Sequence, residues 1–326
     1  MKTAILSWLL RVVLAALCSV GSSWAAEPEK FLGSIWQNRT NDPLLGTFFN
    51  QITPENCGKW KAVEPRQGVR VWSNIEAMVQ FAAQRNMLVK HHVLVWGQQQ
   101  PTWTDRASNM AHAVDAMIED FFTRFGPHIS LVDVVNEPIT ESPRYRKQLA
   151  AGGSARWDWI AWVYRRARYH ASRSGFRGKL ILNEWGAEND DIRMQELREI
   201  VTVLRRESLL DAIGIQGHFL EKAKVADVKR RLDYLAEAGL PIYISEFELD
   251  IADDAQHQEQ FAALFSMFWE HPAVRGVTVW GHNEGAMWRK NGYLVRRDGS
   301  DRPAMSWLRR YLVRVPGHTP HAFRQH

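Results

Sequence analysis

Two glutamates sit where a short apolar run gives way to a loop. Asp133-Val134-Val135-Asn136-Glu137-Pro138 carries one, and Ile242-Tyr243-Ile244-Ser245-Glu246 carries the other. A carboxyl pair of this kind suits cleavage of a glycosidic bond. One member must be protonated to release the leaving sugar, and the other must be ionised to attack the anomeric carbon. In a retaining pair the two groups stand about 5–5.5 Å apart. Asn136, directly before Glu137, is placed to donate its amide to a sugar 2-hydroxyl. His218 and Glu248 form a second pair: a carboxylate on the imidazole fixes its tautomer and turns the other ring nitrogen toward Glu246.

Further polar and aromatic residues end other apolar runs. They include Thr53-Pro54-Glu55-Asn56, His92 and Trp96, Asn183-Glu184, Gln216 and Trp280. Carboxylates, amides, imidazoles and indoles at such places point to a site rather than to a merely solvated edge. Asn183 is a candidate support for Glu137 or Glu246, while Glu184 has the bland reading of binding backbone or a basic neighbour. A metal-dependent hydrolase using His91, His92 and His218 is a rival. Strand alternation puts His91 and His92 on opposite faces, which argues against it.

The elements that must position these residues repeat one rhythm. Runs rich in apolar and β-branched residues cover 31–36, 47–53, 89–96, 131–137, 179–185, 212–219, 241–248 and 276–282. Several are nearly continuous, such as Val93-Leu94-Val95, as expected of parallel strands buried on both faces. Helical spacing intervenes over 72–86, 110–125, 192–207 and 258–270. Trp157, Trp159 and Trp162 lie on another helical stretch as packing residues. Eight βα units predict a single-domain (β/α)8 TIM barrel over residues 27–315, with chemistry at the C-terminal ends of its strands. An open doubly wound sheet is the alternative, but no GxGxxG loop supports it.

The first 26 residues read as a signal peptide. Lys2 supplies the positive start, residues 5–17 are mostly apolar, and Ser23 to Ala26 offers small residues for cleavage. The protein is therefore expected to be secreted or periplasmic, with no membrane attachment after cleavage. Loss of this segment removes Lys2 and Arg11 and no acid, so net charge falls from +5 to +3. That balance gives no reason to expect a nucleic-acid partner. One cysteine, Cys57, then remains, which excludes an intrachain disulfide and a cysteine-based metal site. Residues 316–326 are expected to be a flexible tail, and the protein a monomer.

Several separated motifs together resemble glycoside hydrolase family 10, the endo-β-1,4-xylanase family. Residues 53–60 (TPENCGKW) resemble T-x-E-N-x-M-K-W, and residues 92–96 (HVLVW) resemble H-T-L-V-W. Residues 134–138 resemble the acid/base strand, 213–218 resemble G-I-G-x-Q-x-H, and 244–246 resemble the nucleophile strand. Trp280-Gly281 with Trp288, and the segment 298–304, resemble the closing motifs. The resemblance covers nearly the whole chain after residue 26. It implies Glu137 as acid/base and Glu246 as nucleophile, with no metal or organic cofactor. It also implies sugar contacts from Glu55, Asn56, Lys59, His92, Trp96, Asn136, Gln216, His218, Trp280 and Trp288, with Asn183 and Glu248 in support. The expected substrate is xylan or a related β-1,4-linked polysaccharide. Another β-1,4-glycan, a decorated oligosaccharide, or carbohydrate binding without turnover are the other readings. The sequence departs from the family at Gly97 (commonly His), Gly58 (usually Met) and Glu248 (often Asp).

Overall fold

The computed structural model describes residues 30–149, 153 and 155–315. The expected signal peptide and C-terminal tail lie outside the described residues. Eight strands close a parallel barrel in sequence order: β1 (Phe31–Trp36), β2 (Gln51–Pro54), β3 (Leu88–Val95), β4 (Leu131–Asn136), β5 (Lys179–Glu184), β6 (Ala212–Ile215), β7 (Ile242–Phe247) and β8 (Val274–Val279). β8 pairs back onto β1 through Phe31–Gly276 and its neighbours. The closed barrel excludes the open-sheet alternative.

Seven long helices form the outer layer: α1 (Ser73–Gln84), α2 (Met110–Phe125), α3 (Asp158–Arg173), α4 (Asp191–Arg206), α5 (Val225–Ala236), α6 (Asp254–Glu270) and α7 (Pro303–Arg314). Asn109, Asp190 and Asp253 cap α2, α4 and α6 by accepting from first-turn N–H groups, which satisfies donors a helix start leaves free. Apolar stripes such as Val114, Met117, Ile118 and Phe121 on α2 pack against the outward faces of the strands. Trp159 is buried in α3, Trp162 packs against the same core, and Trp157, at the position before the helix, is buried with them.

The rhythm of strand then helix fails once. No helix follows β1 among the described residues, and β2 begins at Gln51 rather than at Thr47. Phe48 and Phe49 both donate backbone N–H to Leu44 O, which ties that stretch into a turn. Leu45, Phe48 and Phe49 bury their side chains where a helix would sit. His282 fastens the loop, with Nδ1 at 2.8 Å from Ser34 Oγ and Nε2 at 2.9 Å from Asp42. β6 is also shorter than expected. It stops at Ile215, and Gly217 (φ 82°) and Phe219 (φ 59°) turn the chain away from the ladder. At β8 the strand starts two residues early and ends at Val279.

Inside the barrel, side chains change character along its axis. Phe31, Leu131, Ile181, Ala212 and Tyr243 form an apolar floor at the N-terminal end. Gly276 is required there, since a Cβ would strike the Phe31 ring. Above it, Thr278 donates to Gln51, which donates to Thr53. Lys90 and His92 meet Asp133 at 3.0 and 2.9 Å. The polar layers lead to the C-terminal mouth. Among the described residues, no helix is long and apolar enough to cross a membrane.

Candidate active site

The mouth holds a cavity of about 480 Å³ lined by residues at the C-terminal end of, or in the loop after, every strand except β1. Its lining includes all twelve residues read from sequence as catalytic or sugar-binding: Glu55, Asn56, Lys59, His92, Trp96, Asn136, Glu137, Gln216, His218, Glu246, Trp280 and Trp288. Asn183 and Glu248, read as supports, stand behind them. β-Bulges in β4, shortly before Glu137, and in β7, across Glu246, interrupt the alternation of faces. Such irregularities re-aim side chains beside a site. The β7 irregularity falls between Ile244 and Phe247, where β7 carries one residue more than the facing stretch of β8.

Glu137 has φ 52°, a left-handed backbone that a non-glycine residue rarely adopts. Its N–H is anchored on Asn183 O at 2.8 Å. Asn136 Nδ2 and Gln216 Nε2 donate to its Oε1 at 3.1 and 2.8 Å, and Trp96 Nε1 donates to Oε2 at 2.8 Å. Burial, reinforced by the negative charge of Glu246, raises its pKa above the usual carboxylate range. The donors from Gln216 and Trp96 hold back part of that rise. The Asn136 amide, expected to face a sugar hydroxyl, is engaged with Glu137 here.

Glu246 is treated differently. Burial alone would raise its pKa, yet His92, His218 and Lys90 outweigh burial and hold it at about 2. Asn183 Nδ2 donates to its Oε1 at 2.7 Å. The same amide group lies 2.8 Å from Asn136 Oδ1, so Asn183 links the two carboxyl networks, and Ser245 donates to its carbonyl oxygen. Asn183 thus supports Glu246 directly. β5 and β6 lie between β4 and β7, so the two glutamates are not diametrically opposed. Asn183 and Gln216 come from those intervening strands and bridge the gap.

His218 is buried between two carboxylates. Nδ1 lies 2.8 Å from Glu248 and Nε2 lies 3.4 Å from Glu246. Burial opposes its protonation, but Glu248 and Glu246 together push its pKa up to about 10. The ring is therefore an imidazolium at neutral pH that stabilises ionised Glu246. Glu248 is only 1 % exposed, so it is no surface ion pair. It also accepts from Trp288 Nε1 at 3.0 Å and meets Arg289 at 3.2 Å.

The opposite rim carries Glu55, Asn56 and Lys59. Gln37 Nε2 donates to Glu55 at 2.9 Å, and Lys59 donates to Asn56 at 3.1 Å while lying over the Trp96 ring. Burial lowers the Lys59 pKa, against the pull of Glu246, Glu55 and Glu137. Trp280 stands edge-on to His92, and Trp288 is 52 % exposed at the lip. Both tryptophans offer flat apolar faces on which the C–H face of a sugar ring can stack.

Sequence reading missed Gln98, Gln99, Glu141, Trp185 and Phe219, which also line the cavity. Trp185 and Phe219 approach at 5.6 Å and extend the aromatic rim. Trp185 ends a strand run, a signal available in the sequence. The loop positions carry no comparable mark. Glu184 accepts backbone N–H from Ile139 and Trp185, and burial pushes its pKa up to about 8. It holds the loop after Glu137 rather than lining the cavity.

The His91 ring packs tilted against Phe121 of α2, with centroids 4.1 Å apart, on the outer face of β3, away from His92 and His218. The three histidines read as a metal rival are therefore split. Among the described residues, no group of three or more His, Cys, Asp or Glu could hold a metal ion. Cys57 is buried, and burial pushes its thiol up to about 12. Gly58 packs beneath the site, since a Cβ there would strike the His92 carbonyl oxygen.

A family model described as "Glycosyl hydrolase family 10" matches residues 19–311. The chain is 35% identical over 284 residues to "Endo-1,4-beta-xylanase B" of Cellvibrio japonicus, covering 86% of this chain and 45% of that protein. It is 27% identical to "Endo-1,4-beta-xylanase C" of Paenibacillus barcinonensis, covering 82% of this chain and 28% of the relative. It thus spans less than half the length of these two relatives. The solved structure "Structure of GH10 from Paenibacillus barcinonensis" superposes with a TM-score of 0.76 at 25% identity, covering 85% of this chain and 93% of that one. With a closed barrel, a two-glutamate mouth and a family match over most of its length, the chain belongs to glycosyl hydrolase family 10.

Proposed function

We propose that this protein is a retaining endo-β-1,4-xylanase that hydrolyses internal linkages of xylan through a covalent glycosyl-enzyme. The observation that carries the reading is the divergence of two buried carboxyls in one cavity: Glu137 is shifted up and Glu246 is held at about 2. Such a split assigns acid and nucleophile roles. Glu137 protonates the glycosidic oxygen while Glu246 Oε attacks the anomeric carbon. Glu137, now ionised, then takes a proton from water, which opens the ester and restores both groups. His218 and Asn183 keep Glu246 ionised and oriented. Trp280, Trp288, Glu55, Asn56 and Lys59 hold the chain across the mouth, with His92, Trp96 and Gln216 around the sugar being cleaved.

The names of the relatives support xylan as the glycan. The apolar run at residues 5–17 supports export, so the working protein belongs outside the cytoplasm. N-terminal sequencing of the mature form tests the export reading, and a start at Met1 contradicts it. The direct test of function is product analysis on purified xylans and glucans with wild type and Glu246→Ala. The expected result is internal cleavage of β-1,4-xylan, lost by about four orders of magnitude or more in the variant. Unchanged turnover in Glu246→Ala, or preference for a glucan, contradicts the reading.

A further inference from the structure

Beside the catalytic cavity lies a second one of about 460 Å³, and the two share Gln98 and Gln99 as a common wall. It is bounded by the loop after β3, the 3-10 turn Thr102–Asp105, and the loop after β4 around Tyr145 and Gln148. Gly97 stands at the threshold. A Cβ there would run into the backbone carbonyl of Glu141, so glycine lets the two loops close on each other and define this wall. The position commonly holds His in the resembled family, so this wall goes with one of the chain's departures from the family pattern.

The chemistry of the lining is specific. Gln100 Oε1 accepts from Tyr145 Oη at 3.1 Å, and Gln148 Oε1 accepts from Met110 N at 3.1 Å. Each bond orients the amide and occupies one lone pair of its carbonyl oxygen, leaving the NH2 group to donate. Gln98 does the reverse. Its Nε2 donates to Glu141 at 2.6 Å, leaving its oxygen to accept. The cavity therefore offers donors and an acceptor from oriented neutral amides. Its two charged residues, Asp105 and Arg144, face each other at 3.9 Å on the exposed rim and offset one another. Sugar hydroxyls and ring oxygens match that set, whereas a carboxylate would find no uncompensated cation.

We propose that this side cavity, built from Gln98, Gln100, Tyr145 and Gln148, is a subsite for one additional neutral sugar of the bound glycan. This rests on the reading of the main cavity as a β-1,4-glycan groove. The sugar reaches it either as a branch on the main chain or as a further main-chain unit, since the walls are shared with the catalytic groove.

The test uses Glu246→Ala as a non-hydrolysing binder and calorimetry with defined xylo-oligosaccharides. The set is linear, one unit longer, singly branched with a neutral pentose, and singly branched with a uronic acid. Either the longer or the pentose-branched ligand is expected to bind about fivefold tighter than the linear one, the yield of one or two hydrogen bonds. Which of the two gains distinguishes extension from branching. In Glu246→Ala/Thr102→Trp, which fills the cavity from its exposed edge, that gain is expected to vanish with the melting temperature unchanged. No gain for either neutral ligand, a larger gain for the uronic acid, or a gain that survives filling overturns the proposal. If none of the oligomers binds at all and wild type cleaves none of them, the glycan reading itself fails. Binding of the linear oligomer without a further gain rejects only the subsite.

Discussion

A single hydrogen bond separates two ways of tuning Glu137. Trp96 Nε1 donates to its Oε2 and favours the ionised form. Trp96→Phe is therefore expected to raise the Glu137 pKa and move the alkaline limb of kcat/KM to higher pH, because activity needs this group protonated. A rate–pH profile checks it, and a limb moving to lower pH contradicts it. Glu248→Gln acts on the other carboxyl. Without the Glu248 charge the His218 pKa falls, Glu246 loses part of its stabilisation, and the acid limb moves upward with a loss of roughly tenfold in kcat. The identities of Glu137, Glu246, His218 and Glu248 were legible because carboxylates and imidazoles at strand ends have few other reasons to be there. The partner of Asn183 was not legible, since β-bulges decide which way Asn136 and Glu246 face, and a bulge leaves no residue-type signal. Phe219 was hidden similarly: its position depends on a left-handed turn after β6.

At the scale of elements, the loop after β4 follows the proposed acid, Glu137, and needs an anchor. Glu184 supplies one by accepting from the backbone of Ile139 and Trp185. Glu184→Ala leaves those N–H groups without it and is expected to lower stability by about 1–3 kcal/mol. It should also lower kcat, as Glu137 loses its fixed aim. Denaturant unfolding paired with steady-state kinetics measures both, and wild-type values for both contradict the role. All eight strands were readable as apolar runs, and five of the seven long helices as helical stretches; α5 and α7 were not read. The folded loop between β1 and β2 was not read either, because Phe48 and Phe49 look like strand residues while their backbone is tied to Leu44 in a turn. Burial of an apolar pair is the same signal whether a strand or a folded loop achieves it.

Across the whole molecule, buried ionisable groups set a pH dependence of stability. Burial pushes Glu184 to about 8 and Glu188 to about 6, above their ordinary 4.5. The two carboxylates flanking His218, against the cost of burial, push that group to about 10 from 6.5. A raised pKa contributes stability that is complete below the unfolded value and lost as pH rises through the folded one. All three losses therefore fall between about pH 4.5 and 10. Glu246 works in the opposite sense, with its contribution present above 4.5 and lost as pH falls toward about 2. Burial lowers His91 and His257 to about 3, so they remove stability as pH falls below 6.5 and are silent above it. The folded state is therefore expected to be more stable near pH 6.5 than near pH 8.5. Thermal unfolding across that range tests it, and a rise in melting temperature toward pH 8.5 contradicts it. The barrel itself was readable because both faces of each strand are covered, so near-continuous apolar runs mark it. Its interior was not, since Lys90, Asp133 and Gln51 occupy a polar middle layer that burial alone would not predict.

The central claim is a covalent intermediate on Glu246. Incubation with a 2-deoxy-2-fluoro xylobioside bearing a good leaving group, followed by peptide mass mapping, tests it most directly. The expected result is one glycosyl adduct on the peptide containing Glu246, with the ester on that side chain and inactivation in step with labelling. An adduct on Glu137 or Glu248 instead, or cleavage of the inactivator's activated leaving group with no adduct formed, would contradict the account.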